Sequence, residues 1–273
     1  MKLALHTLMW AWEPLEEVFG YAQELGVLRL DLGALPGGCG HLHLPASGDL
    51  ASRCQKLLDL LPPDAGYVAV TADHPGLSAA EPAAREAAIE YTLEAMQAAE
   101  RLGAPVVGTS LGSVGERRDW TSAAACAEAT LREVFKRSPE GISLAIELHA
   151  NDVCNSPAKA EHFIRGVDHP RLGVTLDTSL LFHNRIGIDD AFDRLGERLF
   201  HVHLRGATHE TYFAIPGRDE VDFERFFGRL RETSYAGALS LELYEVKERY
   251  GISTLEALRE AIPYLREVSG GAI

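Results

Sequence analysis

The feature that most constrains the fold is a series of eight short apolar segments, separated by segments with helical periodicity. The apolar segments cover residues 2–7, 27–32, 67–71, 105–109, 142–148, 172–176, 199–204 and 238–243. They are continuously apolar rather than alternating, which is typical of parallel strands covered on both faces. Eight strand–helix units of this spacing predict an α/β protein built as a (β/α)8 TIM barrel.

The length and composition of the chain suit one domain of this kind. The chain has 273 residues, 46% of them hydrophobic, and barrels of this length fold as single domains. We find no Pro/Ser-rich linker that would divide it, and the Gly/Pro-rich stretch at 33–48 falls where a loop after the second strand is expected. The sequence therefore predicts one barrel domain over residues 1–273.

Charge and cysteine content narrow the possible partners. The formal net charge is -14, so binding to nucleic acid, which depends on neutralising phosphates, is not expected. We expect no membrane span, because no run of 18 apolar residues occurs, and no signal peptide, because the first residues lack a cleavage site. The four cysteines are far apart and form no CxxC pair, which favours free thiols and a cytoplasmic location.

Four consecutive predicted strands carry a charged or imidazole side chain at or near their ends. These side chains are Glu147, Asp177, His203 and Glu242. In a barrel the chemistry occurs at the C-terminal ends of the strands, so the four are expected to meet at one level of the barrel mouth. Three carboxylates that point at one axis repel each other unless a cation lies between them.

The types of ligand indicate which cation this is. Carboxylate oxygens with one imidazole suit Mn²⁺, Mg²⁺, Co²⁺ or Zn²⁺, and the absence of thiolates argues against a structural zinc site. For any one of the four residues, hydrogen bonds within the protein are an equally good explanation. Their presence on four consecutive strands is the reason to predict one bound divalent ion.

The chain resembles the xylose isomerase-like TIM barrels, a superfamily that includes sugar phosphate isomerases and epimerases. The resemblance is carried by LAIELH (144–149), LGVTLDTSLLFH (172–183), HVHLRGA (201–207) and the stretch from IPGRDEV to LELY (215–244). It implies that Glu147, Asp177, His203 and Glu242 are the metal ligands, with manganese the expected ion. It also implies that Glu147 and Glu242 form an acid/base pair that moves a proton next to a carbonyl of a sugar or polyol, through an enediolate that the metal stabilises.

The chain departs from the family pattern at two positions. Leu180 stands where many members have a histidine, three residues after the aspartate of the sixth strand, and Arg205 replaces the lysine of a His-x-Lys-Asp motif. Because the leucine removes a usual epimerase contact, two alternatives stay open. One is a dehydratase or lyase of a cyclic polyol or keto-acid, similar to inosose dehydratases, and the other is a non-catalytic sugar-binding barrel. The missing histidines and the acidic charge disfavour a DNA-repair endonuclease of the same superfamily.

Five further side chains are candidate contacts for a small sugar or polyol: His6, His74, His149, Arg205 and Arg218. His6 ends the first apolar segment and His149 follows Glu147 by two residues, so both fall near the predicted barrel mouth. Packing against neighbouring aromatic rings is the alternative for His6, and solvent exposure is the alternative for His149. His74 and Arg218 lie in loops on the same face, where loop contacts explain them equally well. The sequence leaves a homo-oligomer open.

Overall fold

A closed barrel of parallel strands forms the centre of the protein. The computed structural model describes residues 1–37, 39–45, 49–114 and 118–273. Its strands are β1 (Lys2–His6), β2 (Arg29–Leu35), β3 (Cys39–Gly40), β4 (Gly66–Thr71), β5 (Val106–Thr109), β6 (Ser143–Glu147), β7 (Leu172–Asp177), β8 (Leu199–Leu204) and β9 (Ala238–Leu241). The order around the barrel is β1-β9-β8-β7-β6-β5-β4-β2, and parallel pairing of β1 with β2 closes it. The predicted (β/α)8 barrel is therefore confirmed.

Helices connect the strands and cover the outside of the barrel. They are α1 (Leu15–Leu25), α2 (Leu50–Asp59), α3 (Pro82–Leu102), α4 (Trp120–Arg137), α5 (Pro157–Val167), α6 (Thr178–His183), α7 (Ile188–Leu195), α8 (Phe223–Glu232), α9 (Val246–Tyr250) and α10 (Thr254–Val268), with 3-10 turns at Thr7–Trp10 and Gly196–Arg198. A capping box starts α10, since Glu256 N donates to Ser253 Oγ and Ser253 N donates to Glu256 Oε2. None of the helices in these ranges is long and apolar enough to cross a membrane.

The strands bury apolar side chains outward, against the helices, and keep small or polar side chains inward. The outer core includes the fully buried rings of Phe163, Phe223, Phe226 and Phe227. Inside the barrel, Ala69, Val106 and Ala145 form a small separate cluster with Phe200 packed against it. Side chains along a strand alternate between its two faces, so Glu147 points to the same side as Ala145, one level nearer the mouth. The inward face thus changes from apolar to charged towards the C-terminal ends.

Two elements differ from the sequence expectations. The stretch at 33–48, predicted as a loop, contains β3, which pairs with β2 in antiparallel fashion, while residues 38 and 46–48 lie outside the described ranges. Directly after β7, the chain forms α6, which the sequence pattern does not predict. Asp177 caps this short helix by accepting hydrogen bonds from Ser179 N and Leu180 N. A six-residue helix is too short to show the periodicity by which longer helices are predicted.

The close approach of β7 and β8 generates a testable prediction. A methyl group added at Gly173 in β7 would overlap the carbonyl oxygen of Arg198 and the ring of Phe200. We expect Gly173→Ala to lower the free energy of unfolding by about 1–3 kcal/mol through overpacking. Gly20 is exposed in α1, with nothing within 4 Å of an added methyl group. The control Gly20→Ala should instead raise stability by about 0.5–1 kcal/mol. Urea denaturation followed by circular dichroism compares the two, and equal effects would contradict the packing described for Gly173.

Candidate metal centre

The four predicted ligands meet at the C-terminal mouth of the barrel. Glu147 ends β6, Asp177 ends β7, His203 lies in β8 and Glu242 follows β9. Each offers one ligand atom, and these four atoms all lie within 4.8 Å of one another. All four side chains are buried, with no residue more than 6% exposed. Parallel strands in matched register produce this convergence, since Asp177 and His203 are direct partners across β7 and β8.

Glu147 is bonded to two imidazoles. His203 Nδ1 lies 2.8 Å from Glu147 Oε1, and His149 Nε2 lies 2.7 Å from Glu147 Oε2. Burial raises the pKa of Glu147, but His149 and His203 outweigh it and hold the pKa well below the usual value of a glutamate. Glu147 is therefore a carboxylate at neutral pH, as a metal ligand must be.

Asp177 and Arg205 form a buried ion pair beside it. Arg205 Nη2 donates to Asp177 Oδ2 at 2.5 Å, while Asp177 Oδ1 accepts the cap of α6. Burial lowers the pKa of Arg205, but Asp177, Glu242 and Glu147 outweigh it and raise the pKa above the usual value. The guanidinium carbon lies 5.7–5.9 Å from three ring centres, those of Tyr212, Phe213 and Tyr244. These rings shield the pair from water, and their faces attract the cation.

Glu242 has a hydroxyl partner that the sequence analysis did not identify. Tyr244 Oη donates to Glu242 Oε1 at 2.5 Å. Glu242 Oε2 lies 3.5 Å from His203 Nδ1 and 3.9 Å from Arg205 Nη1. Burial raises the pKa of Glu242, while Arg205, His6 and His203 lower it, and the net direction is down. The signal for Tyr244 was its position two residues after Glu242, which directs both side chains to one side of an extended chain.

A cavity of about 330 Å³ opens beside these ligands. His149 lines it and, through its bond to Glu147, connects the cavity to the ligand set. The side chain of His149 is 39% exposed, so it lies at the barrel mouth and also contacts solvent, which were the two alternatives from the sequence. The cavity is also lined by Asp73, Ser110, Leu180, His183 and Tyr212. Leu180 thus lies at the cavity, as its position after Asp177 implied.

The remaining predicted contacts lie in different surroundings. His6 is completely buried beneath the carboxylates, with Nε2 4.0 Å from Glu242 Oε1. Arg205 is 4% exposed and is not among the residues that line the cavity in the described ranges. His74 packs on Tyr91 and accepts a hydrogen bond from Gly76 N. Arg218 is half exposed and pairs with Glu260. Of the five predicted contacts, the structure places His149 at the cavity and His6 beside Glu242.

Below the ligand set lies a second polar level, which the sequence analysis did not identify. It is built on Asp31 in β2, which is completely buried and contacts His201, His203 and Thr71. Arg29, two residues before Asp31 in the same strand, donates to the backbone oxygen of Asp64. Asp31 is a charged residue inside a mostly apolar segment, and this was the sequence signal for a buried polar group. Its histidine partners could not be identified in this way, because they are far away in sequence.

A family comparison agrees with this architecture. The family model described as "xylose isomerase-like TIM barrel" matches residues 34–268. That match spans most of the chain, and the chain belongs to this family. The resemblance inferred from the sequence motifs is thereby confirmed.

Curated relatives of the chain are sugar epimerases. The D-psicose 3-epimerase of Agrobacterium fabrum is 30% identical over 138 residues, a match that covers 48% of this chain but only 43% of the relative. The D-psicose 3-epimerase of Enterocloster bolteae is 22% identical over 284 residues and is matched over 90% of its length. The chain therefore matches less than half of the first relative and nearly all of the second.

Solved structures share the fold over their full length. A structure of the IOLI protein with a bound zinc atom has a TM-score of 0.80 at 15% identity, covering 100% of this chain and 99% of that one. A D-psicose 3-epimerase crystallised in the presence of D-fructose has a TM-score of 0.80 at 19% identity, covering 99% and 100%. At these identities the likeness concerns the fold.

The buried Arg205–Asp177 pair leads to a prediction about stability. Arg205→Met leaves Asp177 without its cation among other carboxylates, and we expect a loss of about 3–5 kcal/mol in the free energy of unfolding without added metal. The control Arg218→Met breaks an exposed pair with Glu260 and should cost less than about 1 kcal/mol. Arg218 also lies over an aromatic ring, that of Tyr250, but it is exposed, so the control loses less packing as well as a weaker pair. Chemical denaturation measures the difference, and an equal loss in both would contradict a buried pair at Arg205.

Proposed function

We propose that this protein is a divalent-metal-dependent isomerase or epimerase of a small sugar or polyol. It would act by proton transfer at the carbon next to a carbonyl. The observation that carries the proposal is the convergence of Glu147, Asp177, His203 and Glu242 within 4.8 Å beside an open cavity. The curated relatives are D-psicose and L-ribulose 3-epimerases, which supports an enzyme of this class.

The donor set fits a divalent cation. Three carboxylates and one imidazole nitrogen are buried together, and Arg205 is the guanidinium paired with them. Ligation requires a neutral His203 ring, and three carboxylates against one guanidinium then leave an excess of negative charge that a cation balances. Mn²⁺ is the ion we propose, with Mg²⁺, Co²⁺ and Zn²⁺ as alternatives for the same oxygen-rich ligands, and the related IOLI structure contains zinc. Such an ion, when bound, polarises a substrate carbonyl and makes the neighbouring C–H more acidic.

Glu147 and Glu242 are the proposed acid/base pair. They approach His203 Nδ1 from two strands, Glu147 Oε1 at 2.8 Å and Glu242 Oε2 at 3.5 Å. Tyr244 occupies Glu242 Oε1, so Oε2 is the atom that we assign to accept or return a proton. On the other side, His149, which lines the cavity, bonds to Glu147 Oε2. A substrate carbon between the two side chains can lose a proton to one carboxylate and receive a different proton from the other glutamate in its protonated form.

The cavity suits a small polar ligand. Its volume of about 330 Å³ is at the lower end of the range for small-molecule sites. His149, Asp73 and Ser110 provide hydrogen-bonding groups, while Leu180 and Tyr212 provide apolar surface for the C–H groups of a sugar. We assign His149 as the principal substrate contact among the predicted residues. Arg205 acts through Asp177, and His74 and Arg218 have no assigned role in this mechanism.

Proton transfer at carbon predicts isotope exchange with solvent. Incubation of the Mn²⁺-loaded protein with D-psicose, L-ribulose or an inosose in deuterated water should produce an epimer or isomer that carries deuterium next to the carbonyl. Glu242→Gln should reduce this rate by at least about 100-fold, because an amide cannot act as the base. The control Glu245→Gln changes an exposed residue paired with Arg249 and should leave the rate unchanged. Mass spectrometry and proton NMR measure both product and exchange.

The outcomes separate the competing reactions. A product lighter by one water identifies the dehydratase alternative. Exchange that survives in Glu242→Gln, with the metal still bound, would remove Glu242 from the acid/base pair. Binding of sugars with neither exchange nor product would favour the non-catalytic barrel.

A further inference from the structure

Asp31 lies at the centre of a buried group of imidazoles beneath the proposed metal ligands. Asp31 Oδ2 is 2.7 Å from His201 Nε2 and 3.3 Å from His203 Nε2. Asp31 Oδ1 accepts a hydrogen bond from Thr71 Oγ1 at 3.0 Å and lies 4.0 Å from His6 Nε2. None of the carboxylate and imidazole groups here is more than 2% exposed. A charge withheld from water to this degree requires a structural or chemical reason.

Irregular strand pairing brings these groups together. The register between β2 and β4 shifts at Asp31, where β4 contains one extra residue. A second shift falls between β7 and β8, directly before His201. Such bulges redirect side chains and recur next to active sites. Both irregularities therefore lie on the strands that carry Asp31 and the two histidines bonded to it.

The hydrogen bonds define which nitrogens carry protons. His6 Nδ1 accepts from Leu8 N, so the proton of a neutral His6 ring is on Nε2, directed towards Asp31 and Glu242. The Asp31 side chain accepts from Thr71 Oγ1 and faces Nε2 of His201 and of His203, so we assign the Nε2–H groups of both rings as its donors. That arrangement leaves Nδ1 of His203 as the nitrogen 2.8 Å from Glu147.

We propose that Asp31 is a positioning residue that holds the Nε2–H of His203 and so presents Nδ1 of that ring to the metal. This inference rests on the proposed metal centre above. A carboxylate behind a ligating histidine fixes its ring orientation and tautomer and strengthens it as a ligand. Here the carboxylate is itself held by Thr71 in β4 and His201 in β8. Residues of three strands, including Asp31 in β2, therefore fix the orientation of the His203 ring.

A second metal site at this level is the main rival explanation. Atoms of His6, Asp31 and His203 lie close enough together to hold an ion. However, Nδ1 of His6 already accepts from Leu8 N, and an ion on Nε2 would require an imidazolate ring. His6 Nε2 has no hydrogen-bond partner among the described residues and lies 4.0 Å from both Asp31 Oδ1 and Glu242 Oε1. The rival predicts two ions per chain, and the positioning role predicts one.

The test is the affinity of the folded protein for Mn²⁺, measured by calorimetry. Asp31→Asn is nearly isosteric, and we expect it to weaken binding by about 10–100-fold. Thr71→Val removes only the support of Asp31 Oδ1 and should weaken binding by a smaller factor, which provides a readout if Asp31→Asn does not fold. The control Asp152→Asn also neutralises a buried aspartate, one bonded to Leu111 N, Gly112 N and Cys154 N and not to a histidine. It should bind Mn²⁺ within about threefold of the wild type.

Nitrogen-15 NMR of the imidazoles separates this inference from the proposed metal centre. In metal-free wild-type protein, Nε2–H of His201 should give a slowly exchanging signal that is lost in Asp31→Asn. If the wild type shows that signal but binds no Mn²⁺ or Zn²⁺, the metal centre is wrong and Asp31 orients the rings for another purpose, which overturns the role proposed here. Wild-type affinity in folded Asp31→Asn, or two ions per wild-type chain, would also overturn it.

Discussion

The charge balance of buried carboxylates determines the organisation of the barrel mouth. Asp31, Glu147, Asp177 and Glu242 are withheld from water, and an unpaired charge in such a place is very unfavourable. The neighbouring cation and imidazoles follow from this requirement. Arg205 faces Asp177, and His203 lies between Glu147 and Asp31. The aromatic rings over Arg205 belong to the same arrangement, because they keep water from the pair and favour the cation.

The two polar levels of the barrel differ in how completely the protein's own groups provide hydrogen bonds and balance the charge of the carboxylates. At the lower level, Asp31 has donors on both oxygens, from Thr71, His201 and His203. At the upper level, three carboxylates surround one imidazole, and an open cavity adjoins them. The lower level therefore supports His203 through hydrogen bonds, whereas the upper level has an excess of negative charge that a bound cation would balance. His203 connects the two, with one nitrogen directed to each level.

The sequence predicts the barrel well because burial on both faces marks its strands directly. Each of the eight apolar segments overlaps a barrel strand, and the residues at or next to the ends of four of those strands are Glu147, Asp177, His203 and Glu242. The support at Asp31 could not be predicted, because it depends on two register shifts and on partners more than a hundred residues away. Arg205 was expected to contact substrate, but its position depends on Asp177 and three rings that only the folded loop brings together. The short helix α6 escaped prediction because a few residues carry no clear periodicity.

The central claim is that the four converging ligands hold one divalent ion. Elemental mass spectrometry of the purified protein, with and without prior incubation with Mn²⁺, tests this claim directly when wild type and Glu147→Ala are compared. We predict about one divalent ion per wild-type chain and a large loss in the variant, since each ligand of such a site is needed for tight binding. Absence of a bound ion from the wild type after incubation, or an equal content in both proteins, would contradict the account.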